Sequence, residues 1–322
     1  MRLLVLCAVT AACGGASPGA SAPVVSSPAA AAQAAVEHLV AAFNAHDVAA
    51  VHAQLTGDAH VSVIGEGGPR AIDAPLAALL ARFPDSRLRL GRLWLDPPAA
   101  VVELGFRATA TPGPLFSATI DARPISVASA AIFRVTSDGR IADIKLYVDF
   151  VNALGQLAPS LLPAGTQLRP PEPDPQPAVI VAEHSSDEAA NLAATNAVWD
   201  ALTAHDAARA LASAAETYRY VDFAAPDVLD KPATERMVDG FLTAVTDFRI
   251  ADKPTQLAAG PDVLTDVTEH AELAARPITL HALDIKRFAN GQVVQEWQYS
   301  NYLEVLTQTG RMKPLAILPA GP

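Results

Sequence analysis

The sequence predicts an α+β protein built of two units, each with helices packed on a curved antiparallel sheet. Three observations carry this. Helical periodicity is followed by several runs of strand-like alternation. That order occurs twice, and a proline-rich spacer divides the two occurrences. With 322 residues the chain is long enough for two ordinary domains, and 51% hydrophobic with 6% aromatic content is a globular composition.

The folded part is not expected to begin at once. MRLLVLCAVTAACGG has one basic residue, Arg2, then an apolar run over 3–9 and small residues before Cys13. That layout is a secretory signal, shorter than the roughly 20 residues of a membrane-spanning helix. It resembles a bacterial lipobox, cleaved before a cysteine that carries the lipid, with Thr10 where leucine is usual. Residues 1–12 therefore read as a signal peptide, Cys13 as a lipidation site and 13–28 as a flexible Gly/Ser/Pro tether. The expected location is the bacterial cell envelope, lipid-anchored, with a secreted or periplasmic protein as the alternative. The two cysteines are Cys7 and Cys13, so the rest of the chain holds no disulfide and no cysteine metal site.

The first unit is expected over 29–158. An Ala-rich helix over 29–42 places Val36, Leu39, Val40 and Phe43 on one face, and Asn44-Ala45-His46-Asp47 breaks it before a shorter helix over 48–55. A strand over 60–64, a Gly-rich turn and a helix over 72–83 follow. Alternation then marks strands at 87–95, 101–109, 124–135 and 141–150, separated by Pro97-Pro98, Thr111-Pro112-Gly113-Pro114 and Ser137-Asp138-Gly139.

After a Pro-rich linker, 159–184, the same order returns over 185–312, ahead of a short tail at 313–322. Helices end at Thr203 and restart at Ala207; a strand covers 218–223 and a helix 233–245, with Pro232 at its start. Strands follow at 248–257, 263–273, 278–288 and 293–302, with Asn290-Gly291 as the hairpin signal. His46 and His205 are 205 − 46 = 159 positions apart, Gly139 and Gly291 are 291 − 139 = 152 apart, and YVDFVNALGQ aligns with YSNYLEVLTQ. A drift of seven fits a few loop insertions, so the sequence reads as a tandem duplication. In the repeated Ala-His-Asp, the aspartates Asp47 and Asp206 are expected to cap helices.

A net charge of −11 with no Lys/Arg run argues against nucleic acid as a partner. The ordered set AFNAHDVAAV, Arg82-Phe83-Pro84-Asp85, Asp138-Gly139-Arg140-Ile141 and the D-x-x-x-x-x-x-Q tail from Asp149 to Gln156 resembles the SnoaL-like polyketide cyclases. These sit in the NTF2-like group with ketosteroid isomerases and scytalone dehydratase. The resemblance implies two α+β cones, each with a cavity between helices and sheet, where cofactor-free proton transfer uses a carboxylate or histidine beside a carbonyl. No cofactor and no metal are expected.

Family members often carry W-x-x-x-D on the last strand. Here the first unit has Lys145-x-x-x-Asp149 and the second Trp297-x-x-x-Asn301, with Tyr147 and Tyr299 on the same faces. Asp149 and Asp222 are the candidate bases; Tyr147, Tyr220, His270, Trp297, Tyr299 and Asn301 are candidate ligand-binding residues. Lys145 and Asp149 read rather as an outer-face pair in solvent, and the face bearing Asp266, Thr268, His270 and Glu272 as the wet side of a sheet. His270 and His281 lack a third metal ligand. Two functions compete: an envelope protein binding a small hydrophobic molecule without catalysis, and an isomerase, cyclase or hydratase acting on a small carbonyl compound through an aspartate base. As partners the sequence suggests a membrane through the lipid anchor, and the two units packed on each other as a pseudo-dimer within one chain.

Overall fold

The computed structural model describes residues 27–64, 68–115, 118–169, 176–250 and 254–313. The expected leader, Cys13, most of the tether, the Gly-rich turn at 65–67, the middle of the proline-rich spacer and most of the tail lie outside the described residues.

Helix α1 (Pro28–Asn44) starts where Ser27 accepts a hydrogen bond from the Ala30 amide and a proline fills the first turn. Ala32, Ala35, Val36, Leu39, Val40 and Phe43 form its buried stripe. It ends at His46, which takes a positive φ of 55°, and Asp47 then caps α2 (Val48–Ala53) by accepting from the Ala50 amide at 2.9 Å. In the second half His205 has φ 57° and Asp206 accepts from Arg209 at 2.9 Å. The repeated Ala-His-Asp is therefore a corner: a left-handed residue turns the chain and an aspartate starts the next helix.

The first half continues with β1 (Leu55–Val63), β2 (Arg70–Ala71), α3 (Asp73–Arg82), β3 (Arg87–Asp96), β4 (Ala99–Ala110), β5 (Gly113–Leu115), β6 (Ala118–Ile120), β7 (Arg123–Val135), β8 (Ile141–Val148) and α4 (Phe150–Leu157). Its main sheet has the order β2-β1-β8-β7-β4-β3, antiparallel except that β1 runs parallel to β8. Inside the stretch read as linker, β9 (Ala178–Val181) adds a parallel edge strand to β3.

The second half comprises α5 (Ser186–Thr203), α6 (Ala207–Ala210), β10 (Ala214–Asp222), β11 (Val228–Asp230), α7 (Lys231–Ala244), β12 (Val245–Ile250), β13 (Thr255–Ala259), β14 (Asp262–Leu273), β15 (Arg276–Ala289), β16 (Gln292–Ser300) and α8 (Tyr302–Gln308). A reciprocal capping box of Ser185 and Glu188 starts α5. The strand order is β11-β10-β16-β15-β14-β12, with β10 parallel to β16. The strand expected over 248–257 is two strands, β12 and β13, which pair with opposite ends of β14.

Both halves are thus α+β cones in which helices close one face of a curved, mainly antiparallel sheet. The inner face of the first sheet packs on α1, with Val36, Leu39, Val102, Ala131, Phe133 and Ile144 in one buried cluster. The outer faces of the two sheets meet each other. Trp94, Val101, Ala130 and Tyr147 of the first sheet share a buried cluster with Leu257, Leu264, Leu283, Ile285 and Tyr299 of the second. Each large apolar side chain withdrawn there contributes about 1.5–3 kcal/mol.

Candidate functional site

The register of the two sheets places their inner faces side by side for comparison. Across the first sheet one row reads Val63, Leu146, Ala131, Val102, and the next Val61, Ile144, Phe133, Ala100. The rows at the same place in the second sheet read Asp222, Gln298, Asp284, Thr265 and Tyr220, Glu296, Lys286, Val263. One cone is lined with hydrocarbon; the other carries carboxylates, an amine, a phenol and an amide. Helix α5 lays Thr195 and Trp199 against this lining, where α1 presents Val36 and Val40.

At the centre Lys286, 2% exposed, donates to Asp284 and, at 2.9 Å, to Glu296. Its ammonium lies 4.8 Å from the centre of the Trp199 ring. The Tyr218 hydroxyl donates to Glu296 at 2.6 Å, and the Tyr220 hydroxyl to Gln298 at 3.0 Å. Burial, then the charge of Glu296, holds the Asp284 carboxyl well above the ordinary range. Burial also pushes against ionisation of Glu296, but the Lys286 charge and the hydrogen bonds Glu296 accepts, that from Tyr218 among them, outweigh it, so Glu296 falls below its usual value. Burial disfavours the Lys286 cation, yet the two carboxyls beside it raise its pKa. The result is two neighbouring carboxyls pushed in opposite directions, Asp284 toward its protonated form and Glu296 toward its ionised form, with a lysine donating to both. On the same face burial raises Glu269 to about 7, against the pull of Lys286. Asp284 Oδ2, Trp199 Nε1 and Thr195 Oγ1 are buried with no partner among the protein's atoms.

The residues singled out from sequence fall in four places. Tyr220 and Asp222 lie in the polar rows. Asp222 accepts from the Ala224 amide at 2.8 Å and from Ser300 at 3.4 Å, and burial raises it to about 6. Asp149 is 3% exposed and caps α4, accepting from the Val151 and Asn152 amides at 3.0 and 3.1 Å. Burial, reinforced by the charge of Asp222, lifts it to about 7 against those amides. The two candidate acids, one from each half, are therefore electrostatic neighbours.

Tyr147, Trp297, Tyr299 and Asn301 belong to the seam between the sheets. Tyr147 donates to Asp266 at 2.5 Å and Tyr299 to Glu103 at 2.8 Å. Arg92 sits 3.7 Å over the Trp297 ring. Asn301 caps α8 and donates to the Ile64 carbonyl at 2.8 Å, while Asn152 donates to the Phe223 carbonyl at 2.8 Å. His270 is on the outer face, 3.0 Å from Thr279, and His281 contacts Glu304 at 3.0 Å. Among the described residues no group of three or more metal-ligating side chains comes together.

Two readings need correcting. Lys145 does not pair with Asp149 in solvent; it pairs with Asp266 across the seam at 2.6 Å. The Asp266 face is likewise not simply wet, because the first sheet covers that end of it. The tails aligned by sequence have a shared structural task. Gln156 clasps the backbone of Ser126, and Gln308 that of Thr279, while Asp149 and Asn301 cap the helices that carry them.

One family model matches part of the chain, within the first cone. Residues 36–144 match the SnoaL-like domain. Among solved structures, a SnoaL-like protein from Jannaschia sp. CCS1, provisionally described as a polyketide cyclase, is similar at 15% identity and a TM-score of 0.37, over 41% of this chain and 95% of its own. IdmH from Streptomyces antibioticus, also provisionally described as a polyketide cyclase, shows 21% identity and a TM-score of 0.35, over 38% and 96%. An LEH-like epoxide hydrolase of M. tuberculosis shows 16% identity and a TM-score of 0.34, over 38% and 92%. No curated protein matches the chain. The SnoaL-like match covers the cone with the apolar interior, whereas the polar interior lies in the other.

Proposed function

We propose that this chain is a tandem pair of SnoaL-like domains in which the second cone binds a small, largely uncharged molecule and transfers a proton on it, while the first is a scaffold. The observation that carries the reading is the buried pair Asp284 and Glu296 bridged by Lys286, one pushed toward its protonated and one toward its ionised form, at positions where the first sheet has Ala131 and Ile144. A carbonyl or ether oxygen would accept the Asp284 proton while Glu296 removes a proton from carbon or from water. Lys286 donates to both carboxyls, and Tyr218, which donates to Glu296 alone, favours ionisation there. Isomerisation, cyclisation and hydration share this need, so the class is cofactor-free acid–base catalysis.

The reading extends to the whole chain. The two cones act as a pseudo-dimer joined through their sheets, and Cys13 carries a lipid that tethers them in the envelope. The catalytic part is tested by incubating the protein in deuterated water with a panel of small enolisable ketones, and in 18O-water with small epoxides. Label incorporation that Asp284→Asn and Glu296→Gln abolish, and that Phe133→Leu leaves unchanged, supports it. Label incorporation indifferent to both acids refutes it. No incorporation, with ligand binding retained, leaves the non-catalytic binding function read from the sequence.

A further inference from the structure

The seam holds a second feature, independent of the polar cone. A cavity of about 480 Å³ opens between the sheets, lined from the first half by Arg92, Glu103 and Ser126 and from the second by Phe223, Arg287 and Trp297. That volume lies within the range of small-molecule sites. Its chemistry is unusual for a chain of net charge −11.

Both arginines are used in the same way. Arg92 gives its Nε and Nη2 to Glu103, and Arg287 gives its Nε and Nη2 to Asp262 at 2.8 Å each. The carboxylates are occupied from behind: Tyr299 donates to Glu103 at 2.8 Å and Trp94 Nε1 to Asp262 at 2.8 Å. A guanidinium has five donors in a fixed fork, so a bidentate partner leaves a second edge through Nη1. Asp262 is 0% exposed and does not line the cavity, so each guanidinium is neutralised by its own carboxylate while its Nη1 edge stays available to a further acceptor. Both cations flank the Trp297 ring, at 3.7 Å and 5.4 Å from its centre. Trp297 and Phe223 add flat apolar surface, the latter stacked on Tyr299 at 4.3 Å.

We infer that this seam cavity binds a small organic carboxylate with a flat, apolar body: the carboxylate meets the open edges of Arg92 and Arg287, and the body lies against Phe223 and its neighbours. Two open guanidinium edges offer a carboxylate charge-assisted hydrogen bonds that a neutral amide accepts more weakly. Because the lining comes from both halves, the bound acid also clamps the two sheets together.

The test is calorimetric titration of the intact protein with 2-naphthoate and, separately, with 2-naphthamide at low salt. The acid is expected to bind at least tenfold more tightly than the amide. Arg287→Gln removes that preference; Arg287→Lys, which keeps the charge and a partner for Asp262, weakens the acid severalfold. Ser126→Trp fills the cavity and abolishes binding of both probes. Asp284→Asn, in the polar cone, leaves naphthoate binding unchanged. Equal affinity for acid and amide, no naphthoate binding at millimolar concentration, or binding that survives Ser126→Trp overturns the inference. Loss of naphthoate binding in Asp284→Asn does so too, by moving the ligand into the second cone.

Discussion

Lys286 donates to Glu296 at 2.9 Å inside the second cone, in the row where the first cone packs Phe133 against Ile144. The same architecture therefore holds a buried ionic cluster in one half and hydrocarbon in the other. A buried cluster of this kind contributes little net stability, since desolvation offsets much of its attraction. Its presence in one cone only is what supports the chemistry proposed for that cone.

Removing one member should be costly. Lys286→Met leaves the Glu296 charge buried without its cation, and chemical denaturation is expected to show a loss of about 3–5 kcal/mol. A loss below about 1 kcal/mol would mean that the cluster is open to water.

Importing the first cone's residues should reverse that cost. The triple variant Asp284→Ala, Lys286→Phe, Glu296→Ile replaces the ions with the apolar set found at the matching register positions. It is expected to unfold within about 2 kcal/mol of the native protein, or to be more stable, because apolar replacement of buried ions is commonly neutral or favourable. Ligand binding and proton exchange in that cone should vanish together.

Asp149 and Asp222 make stability depend on pH. Their folded pKa values, about 7 and about 6, lie above the ordinary 3.8, so between roughly pH 4 and 7 the folded protein holds more protons than the unfolded chain. Their contribution to stability falls as pH rises through that window and is flat above it. Asp222→Asn keeps an acceptor for Ala224 and Ser300 but cannot ionise. Its stability relative to wild type should rise by about 2–3 kcal/mol between pH 4 and pH 8 in urea titrations. An unchanged difference would show that Asp222 is ionised throughout.

The seam should be sensitive at single hydrogen bonds. Asn301→Ala removes the cap of α8 and the donor to the buried Ile64 carbonyl. Losses of about 1 kcal/mol for the cap and about 1–3 for the stranded carbonyl predict a total of about 2–4 kcal/mol by thermal or chemical denaturation. Tyr302, 40% exposed one position along, serves as the control: Tyr302→Ala should change stability by less than about 0.5 kcal/mol.

The order of helices and strands was legible because the 3.6- and 2-residue periods and the turn residues are local signals. The corners at Asp47 and Asp206 were legible for the same reason. The division of faces was not. In a half-exposed sheet the apolar alternate faces the core, so Leu283 and Ile285 read as interior and Asp284 and Lys286 as surface. Here the first sheet covers the outer face of the second, so Leu283 and Ile285 fill the seam and the charged alternates turn into the cone. The signal was present as acids and a lysine alternating with residues too apolar for a wet face, together with Tyr218 and Tyr220 on a neighbouring strand. Asp149 drew notice by its position in a motif, and part of its role is to cap α4.

At neutral pH the second cone is expected to hold one protonated and one ionised carboxyl. That expectation is tested most directly by a 13C NMR titration of the side-chain carboxyls, with Asp284 and Glu296 assigned through Asp284→Asn and Glu296→Gln. A protonated Asp284 at pH 7 beside an ionised Glu296 is the expected result. Two carboxylates that both titrate near pH 4, like exposed side chains, would contradict it.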